Sequence, residues 1–149
     1  MIGTMYVFRP GRTILAFRNG VDYTERMNIF LVFVGGGLGA AARYLLQGAV
    51  YRFTGAGFPY GTIVVNVLGC FVIGLLMSSM EERFLAAPPL RIFLTIGVLG
   101  GFTTFSSFSY ETMALLREGD LLAGGLNIFA SMVICLGATW LGLGLGRYV

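Results

Sequence analysis

The stretch Gly100-Gly101-Phe102-Thr103-Thr104-Phe105-Ser106-Ser107-Phe108-Ser109 sets two adjacent glycines and five hydroxyls inside an otherwise apolar run. A continuous helix is poorly favoured there, because Gly-Gly loosens it and Thr and Ser compete for backbone hydrogen bonds. Unwinding at membrane depth is tolerated only where the chain lines a cavity or is buried in protein. It frees main-chain carbonyls that can coordinate a cation and leaves a half-helix N-terminus that attracts an anion. Phe105 and Phe108, three apart, share a helix face, where ordinary packing is the commoner role of a Phe.

Two further patterns place polar groups where hydrocarbon offers them no partner. Thr62, Asn66, Cys70, Gly74 and Ser78 recur every fourth residue and form one helical stripe, as do Asn127, Ser131, Cys135 and Thr139. Small, weakly polar stripes mark close helix packing in membranes. Two of them, each containing an Asn, also suit a lined path. Arg43 is a charge within an apolar segment: it either snorkels to an interface or focuses anions at a vestibule. Glu111, just after the hydroxyl block, is the nearest acid and is read as a capping or solvating group.

The elements that must carry these residues are membrane spans. The chain of 149 residues is 56% hydrophobic and 11% charged, with a mean hydropathy of +0.82, against about 45–50% and about 25% in ordinary globular domains. Segments 28–51, 61–80, 92–116 and 121–146 are each long enough at ~1.5 Å per residue to cross a bilayer. The third is uncharged from Ile92 to Tyr110, and its hydroxyl block lies near mid-bilayer. Short links join the spans: Arg52–Tyr60, Glu81–Arg91 with Pro88-Pro89 stopping any continuous helix, and Arg117–Asp120. The fold class is therefore an all-α membrane protein of four transmembrane helices with the third broken. Gly35-x-x-x-Gly39 and Gly142-x-x-x-Gly146 fit close backbone crossings, and oligomerisation would bury the polar stripes.

Composition also excludes functions. There is no His, so His-ligated metals and His acid–base chemistry are absent. Cys70 and Cys135 sit in apolar runs without a CxxC and read as small side chains at lipid depth. The ten basic residues are all Arg and are unclustered, which argues against nucleic-acid binding. No catalytic constellation is present.

Residues 1–26, with Arg9, Arg12, Arg18 and Arg26, hold no spanning run and no convincing signal peptide. The simplest reading is a disordered tail or a start misplaced upstream of Met27, with residues 27–149 forming the functional domain. From Met27 onward the side carrying the termini holds Arg83, Arg91 and Arg147, and the other side Arg52 and Arg117. Three against two is almost no positive-inside bias, which permits both orientations and an antiparallel dimer. Counting the extension makes it seven against two and imposes one orientation.

Gly36–Tyr44 (GGLGAAARY), Gly61–Asn66 (GTIVVN) and Gly100–Glu111 (GGFTTFSSFSYE) resemble the small bacterial fluoride channels of the Fluc or CrcB family, and the likeness runs from Met27 to Val149. The resemblance implies a multi-pass protein of the bacterial inner membrane, forming an antiparallel, dual-topology homodimer with two fluoride pores. It also implies a structural Na+ at the dimer centre, held by backbone carbonyls of Gly100 and Thr103. Phe105 and Phe108 would then be the pore phenylalanines, offering electropositive ring edges to the ion. Asn66 would donate its amide to fluoride, Arg43 would be the first-span arginine, and Ser107 and Ser131 would belong to the polar track. The sequence departs from the pattern at Asn127, where some members have a tyrosine, and at Cys135, where a serine is expected.

The function expected is passive export of cytoplasmic fluoride. A proton-coupled, dual-topology exchanger for cationic compounds is the alternative. It needs a membrane-embedded carboxylate, usually in the first span, where this chain has Arg43 and no acid. A scaffold subunit would leave the GGFTTFSSF block and both stripes without a role.

Overall fold

The computed structural model describes residues 22–83 and 87–148, and among these every element is helical. Helix α1 covers Tyr23–Thr54 and α2 Tyr60–Arg83. Helix α3, residues 88–102, begins with an α turn (Pro88–Arg91), widens into π coiling (Ile92–Leu99) and ends in another α turn, Gly100–Phe102. Helix α4 is Phe105–Arg117 and α5 is Leu121–Gly146. Four segments are long and apolar enough to span a membrane: Tyr23–Thr54, Tyr60–Met80, Pro88–Arg117 and Leu121–Gly146. The extension expected over residues 1–26 lies outside the described residues up to position 21. Its last four residues form the first turn of α1.

Local chemistry sets the ends of these helices. Pro88 and Pro89 start a helix rather than merely stopping one, since the first turn needs no intrahelical N–H. Asp120 Oδ1 accepts from Ala123 N at 2.9 Å and caps α5. Between α4 and α5, Gly119 takes φ +86°, while Asp120 N returns to Leu115 O at 3.0 Å. This is a glycine-dependent helix stop with the backbone hydrogen bond of a Schellman turn.

The helices pack as two parallel pairs. Along α1 and α3, Gly35 lies against Phe93 and Gly97, Gly39 against Val98 and Phe102, and Gly101 against Gly36, so positions rise together on both. Along α2 and α5, Gly142 lies against Phe71, Gly74 against Thr139 and Gly146 against Leu75. At each of these glycines an added Cβ would run into the neighbouring backbone. Main chain therefore packs on main chain, the use expected of the two GxxxG patterns.

Burial is inverted relative to a water-soluble bundle. The buried positions of α5 are Gly124, Asn127, Ser131, Ala138, Gly142 and Gly146. Thr62, Val65, Gly69, Gly74 and Ser78 are buried on α2. The large apolar side chains, among them Phe30, Phe33, Leu45, Phe129, Leu136 and Trp140, lie on the outside of the single chain. Small and polar residues inside with a hydrocarbon exterior is the arrangement of a membrane bundle.

Candidate functional site

The site is built around the two residues between α3 and α4. Thr103 (φ −80°, ψ 156°) and Thr104 (φ −149°, ψ 112°) are extended, whereas Gly100 is helical at φ −63°, ψ −36°. The glycines thus do not unwind the chain. Gly101 lets α3 touch α1 at Gly36, and side chains hold the extended residues in place.

Asn66, on α2, is the first of these. Its Oδ1 accepts from Thr104 N at 2.8 Å and its Nδ2 donates to Thr104 O at 3.0 Å. In an unbroken helix Thr104 N would donate to Gly100 O, so the Asn66 bond deprives that carbonyl of its helical donor. Thr104 does the same one residue-group along, because its Oγ1 accepts from Ser107 N at 3.2 Å as the N-cap of α4. Ser107 N is the donor that Thr103 O would otherwise receive. Phe105 N and Ser106 N, in the free first turn of α4, likewise bond neither Gly101 O nor Phe102 O. The carbonyls of residues 100–103 therefore all leave the helical ladder, and those of Gly100 and Thr103 are hard oxygen donors suited to an alkali or alkaline-earth cation. Arg43 Nη1 reaches Thr103 O at 3.4 Å and takes part of that oxygen's accepting capacity. The guanidinium is turned toward the extended residues and is half-buried.

A cavity of about 360 Å³ opens beside these groups, lined by Asn66, Cys70, Thr104, Phe105, Phe108 and Ser131 among others. Phe105 and Phe108 have ring centroids 5.3 Å apart, inclined at 47°. Phe108 is 7% exposed and Phe105 70% in the single chain. The first turn of α4 begins at this cavity, so its free amides and positive dipole end face an apolar space. Of the residues singled out in the sequence, Asn66, Phe105, Phe108, Ser131, Gly100 and Thr103 meet here. Arg43 acts from behind, through Thr103. Ser107 does not line the cavity: its Oγ accepts from Thr104 Oγ1 at 3.0 Å.

Two polar networks extend the site. Asn127 Nδ2 donates to Thr112 Oγ1 at 2.8 Å, Thr112 Oγ1 to Phe108 O at 2.7 Å, and Ser131 Oγ to Asn127 Oδ1 at a long 3.5 Å. On the other side of α4, Glu111 Oε1 accepts from Thr62 Oγ1 at 2.8 Å and from Tyr51 OH at 3.3 Å, while Gln47 Nε2 donates to Thr62 Oγ1 at 3.0 Å. Glu111 Oε2 is buried without a partner among the described residues. Sequence reasoning missed Gln47, Tyr51, Thr104 and Thr112 as parts of the site. Only Thr104 carried a local signal, a Thr three residues before Ser107 at the start of a helix.

Comparison with known proteins decides the family. Residues 30–143 match the family model described as CrcB-like protein, Camphor Resistance (CrcB). The chain belongs to the CrcB family. It is 50% identical over 123 residues to the "Fluoride-specific ion channel FluC" of Geobacter metallireducens, covering 83% of this chain and 99% of that one. It is 50% identical over 121 residues to the FluC of Geotalea daltonii, covering 80% and 98%. The FluC of Methylococcus capsulatus is 43% identical over 121 residues, which is 81% of this chain and 53% of that longer one. The CrcB match covers the second and third membrane-length segments and most of the first and fourth, including both threonines between α3 and α4.

Proposed function

We propose that this chain is a passive, fluoride-selective channel of the bacterial inner membrane, exporting cytoplasmic fluoride and performing no catalysis. The observation that carries the reading is the Asn66–Thr104 clamp, which brings an amide, a helix N-terminus and two phenylalanine rings to one cavity. Fluoride is small, hard and strongly hydrated, so a selective path must replace its water with close donors. Asn66 Nδ2 has a second hydrogen beyond the one given to Thr104. The ring edges of Phe105 and Phe108 are electropositive. The opening turn of α4 adds amide donors. None carries a full charge that would trap the ion, which conduction requires. Ser131 continues the donor track along α5, and Arg43 biases the region toward anions.

The working unit of this reading is an antiparallel, dual-topology homodimer with two pores, formed by the chain from Met27 onward, whose arginines leave the orientation open. A single chain leaves Phe105 outside and offers the released carbonyls of Gly100 and Thr103 to a cation. A second copy about a twofold axis covers the one and doubles the other, giving a structural Na+ four main-chain oxygens that bind it without any acidic side chain. Such an ion would hold the two extended segments together at the dimer centre.

Reconstitution in liposomes with a fluoride electrode tests the function. Rapid fluoride efflux with negligible chloride efflux is expected, and Phe105→Ile should lower the flux while the dimer persists. Equal rates for both anions, or none for fluoride, would reject the channel.

A further inference from the structure

Cys70 and Cys135 are the two cysteines of the chain, and the fold brings them together. Helices α2 and α5 run parallel with Gly74 against the Thr139 backbone. One turn toward the N-terminus on both helices, the same register sets Cys70 beside Cys135. Both are half-buried, and both line the cavity that Asn66, Phe105 and Phe108 share.

We propose that Cys70 and Cys135 form a two-thiolate site for a soft divalent cation of the Hg2+ type, and that its occupancy obstructs the cavity. Three features select this class of ligand. Sulfur donors favour soft metals over the hard cations that suit the carbonyls of Gly100 and Thr103. No group of three or more Cys, Asp, Glu or His side chains placed to hold a metal occurs among the described residues, so a tetrahedral zinc site is not formed there. A soft d10 ion that accepts two ligands suits the pair.

Charge is the third feature. Each thiol loses its proton as its sulfur–metal bond forms, and two protons leave to water together with the two ligands the metal gives up, chloride when HgCl2 is the source. Two thiolates cancel the charge of a divalent ion, and the neutral S–metal–S unit is the form an apolar wall accommodates best. A monovalent ion would leave a net negative charge at the same depth. No oxidant is needed, since neither sulfur nor metal changes oxidation state.

Obstruction rests on the channel reading above, whereas binding does not, and the experiment separates them. Purified full-length protein in detergent is titrated with HgCl2, freed of excess by gel filtration, and weighed by native mass spectrometry. One Hg per chain is expected, with both thiols protected from a thiol reagent after denaturation. Cys70→Ser and Cys135→Ser should each retain Hg about 100-fold less tightly, because a bridging ion loses its intramolecular second ligand. Two Hg per wild-type chain, or single-serine variants that hold Hg as tightly as the wild type, would overturn the site. Fluoride efflux from liposomes is then read against each protein's own rate before metal. Inhibition of the wild type reversed by excess dithiol, and its absence in the double serine variant, supports obstruction. Bridged Hg with unaltered efflux would leave the metal site standing and remove this cavity from the fluoride path.

Discussion

Asn66 holds Thr104 by both ends of its residue, accepting from the amide at 2.8 Å and donating to the carbonyl at 3.0 Å across 38 positions of sequence. A side-chain amide here replaces one rung of helix, the Thr104 N–Gly100 O bond, and adds a donor to the N-cap carbonyl. It fixes where α3 stops, and with Thr104 it decides which carbonyls are released. The first prediction follows from that exchange. Asn66→Ala leaves the buried Thr104 N–H unpaired and takes one donor from its C=O, at a cost of about 1–3 kcal/mol. It should lower the thermal midpoint in detergent and reduce fluoride efflux. Asn66→Asp keeps the acceptor and loses the donor, so it should fall between. Full flux in Asn66→Ala would mean the clamp plays no part in transport.

A second prediction concerns the contact of α1 with α3. A Cβ on Gly39 would run into Val98 O, and its next neighbour, Phe102 N, would be only 2.8 Å away, both of them backbone atoms that cannot swing aside. Gly39→Ala should therefore destabilise by about 1–3 kcal/mol, the usual cost of overpacking. Gly37→Ala, two residues away with nothing within 4 Å, should be near neutral in the same thermal assay. Equal midpoints for the two would refute the crossing.

The contrast between these sites shows what local sequence could carry. Four long apolar runs and the glycine spacings of α1 and α5 are periodic properties, legible because length and repeat alone determine them. Gly100-Gly101 reads as a point of weakness by propensity. In the structure both glycines stay helical, Gly101 serves the approach to Gly36, and the extended residues are Thr103 and Thr104. Propensity weighs one helix at a time, and the decisive group, Asn66, comes from another. Glu111 reads from sequence as a capping or solvating acid, and its partners are hidden for the same reason: its donors, Thr62 and Tyr51, lie 49 and 60 residues away. The π coiling of Ile92–Leu99 leaves no mark in hydrophobicity, since apart from Thr95 the stretch is apolar throughout.

Thr62 supplies the third prediction. It is 1% exposed, donates to Glu111 at 2.8 Å and accepts from Gln47 at 3.0 Å, so one hydroxyl joins three helices. Thr62→Val keeps the shape but strands Gln47 and leaves Glu111 Oε1 with only the longer Tyr51 bond. A loss of about 1–3 kcal/mol is expected. Thr62→Ser, which restores the hydroxyl, should recover most of the lost thermal midpoint. Failure of the serine to recover more than valine would assign the effect to packing rather than hydrogen bonding.

The last prediction tests the dimer through its charges. For a chain beginning at Met27, Arg83, Arg91 and Arg147 stand against Arg52 and Arg117, too small a bias to choose an orientation. A reporter fused after Val149 should then be found on both sides of the membrane, as an antiparallel pair requires. The full chain adds Arg9, Arg12, Arg18 and Arg26 on the side of the termini and should place the reporter on the cytoplasmic side alone. Three further arginines after Val149 of the Met27 chain should have the same effect. Efflux should fall with them, because chains inserted one way cannot bring two α3–α4 junctions together in opposite directions. A one-sided reporter on the unmodified Met27 chain, accompanied by undiminished fluoride flux, would show that the channel does not need opposed copies. The doubled carbonyl set proposed for Na+ would then have to arise some other way.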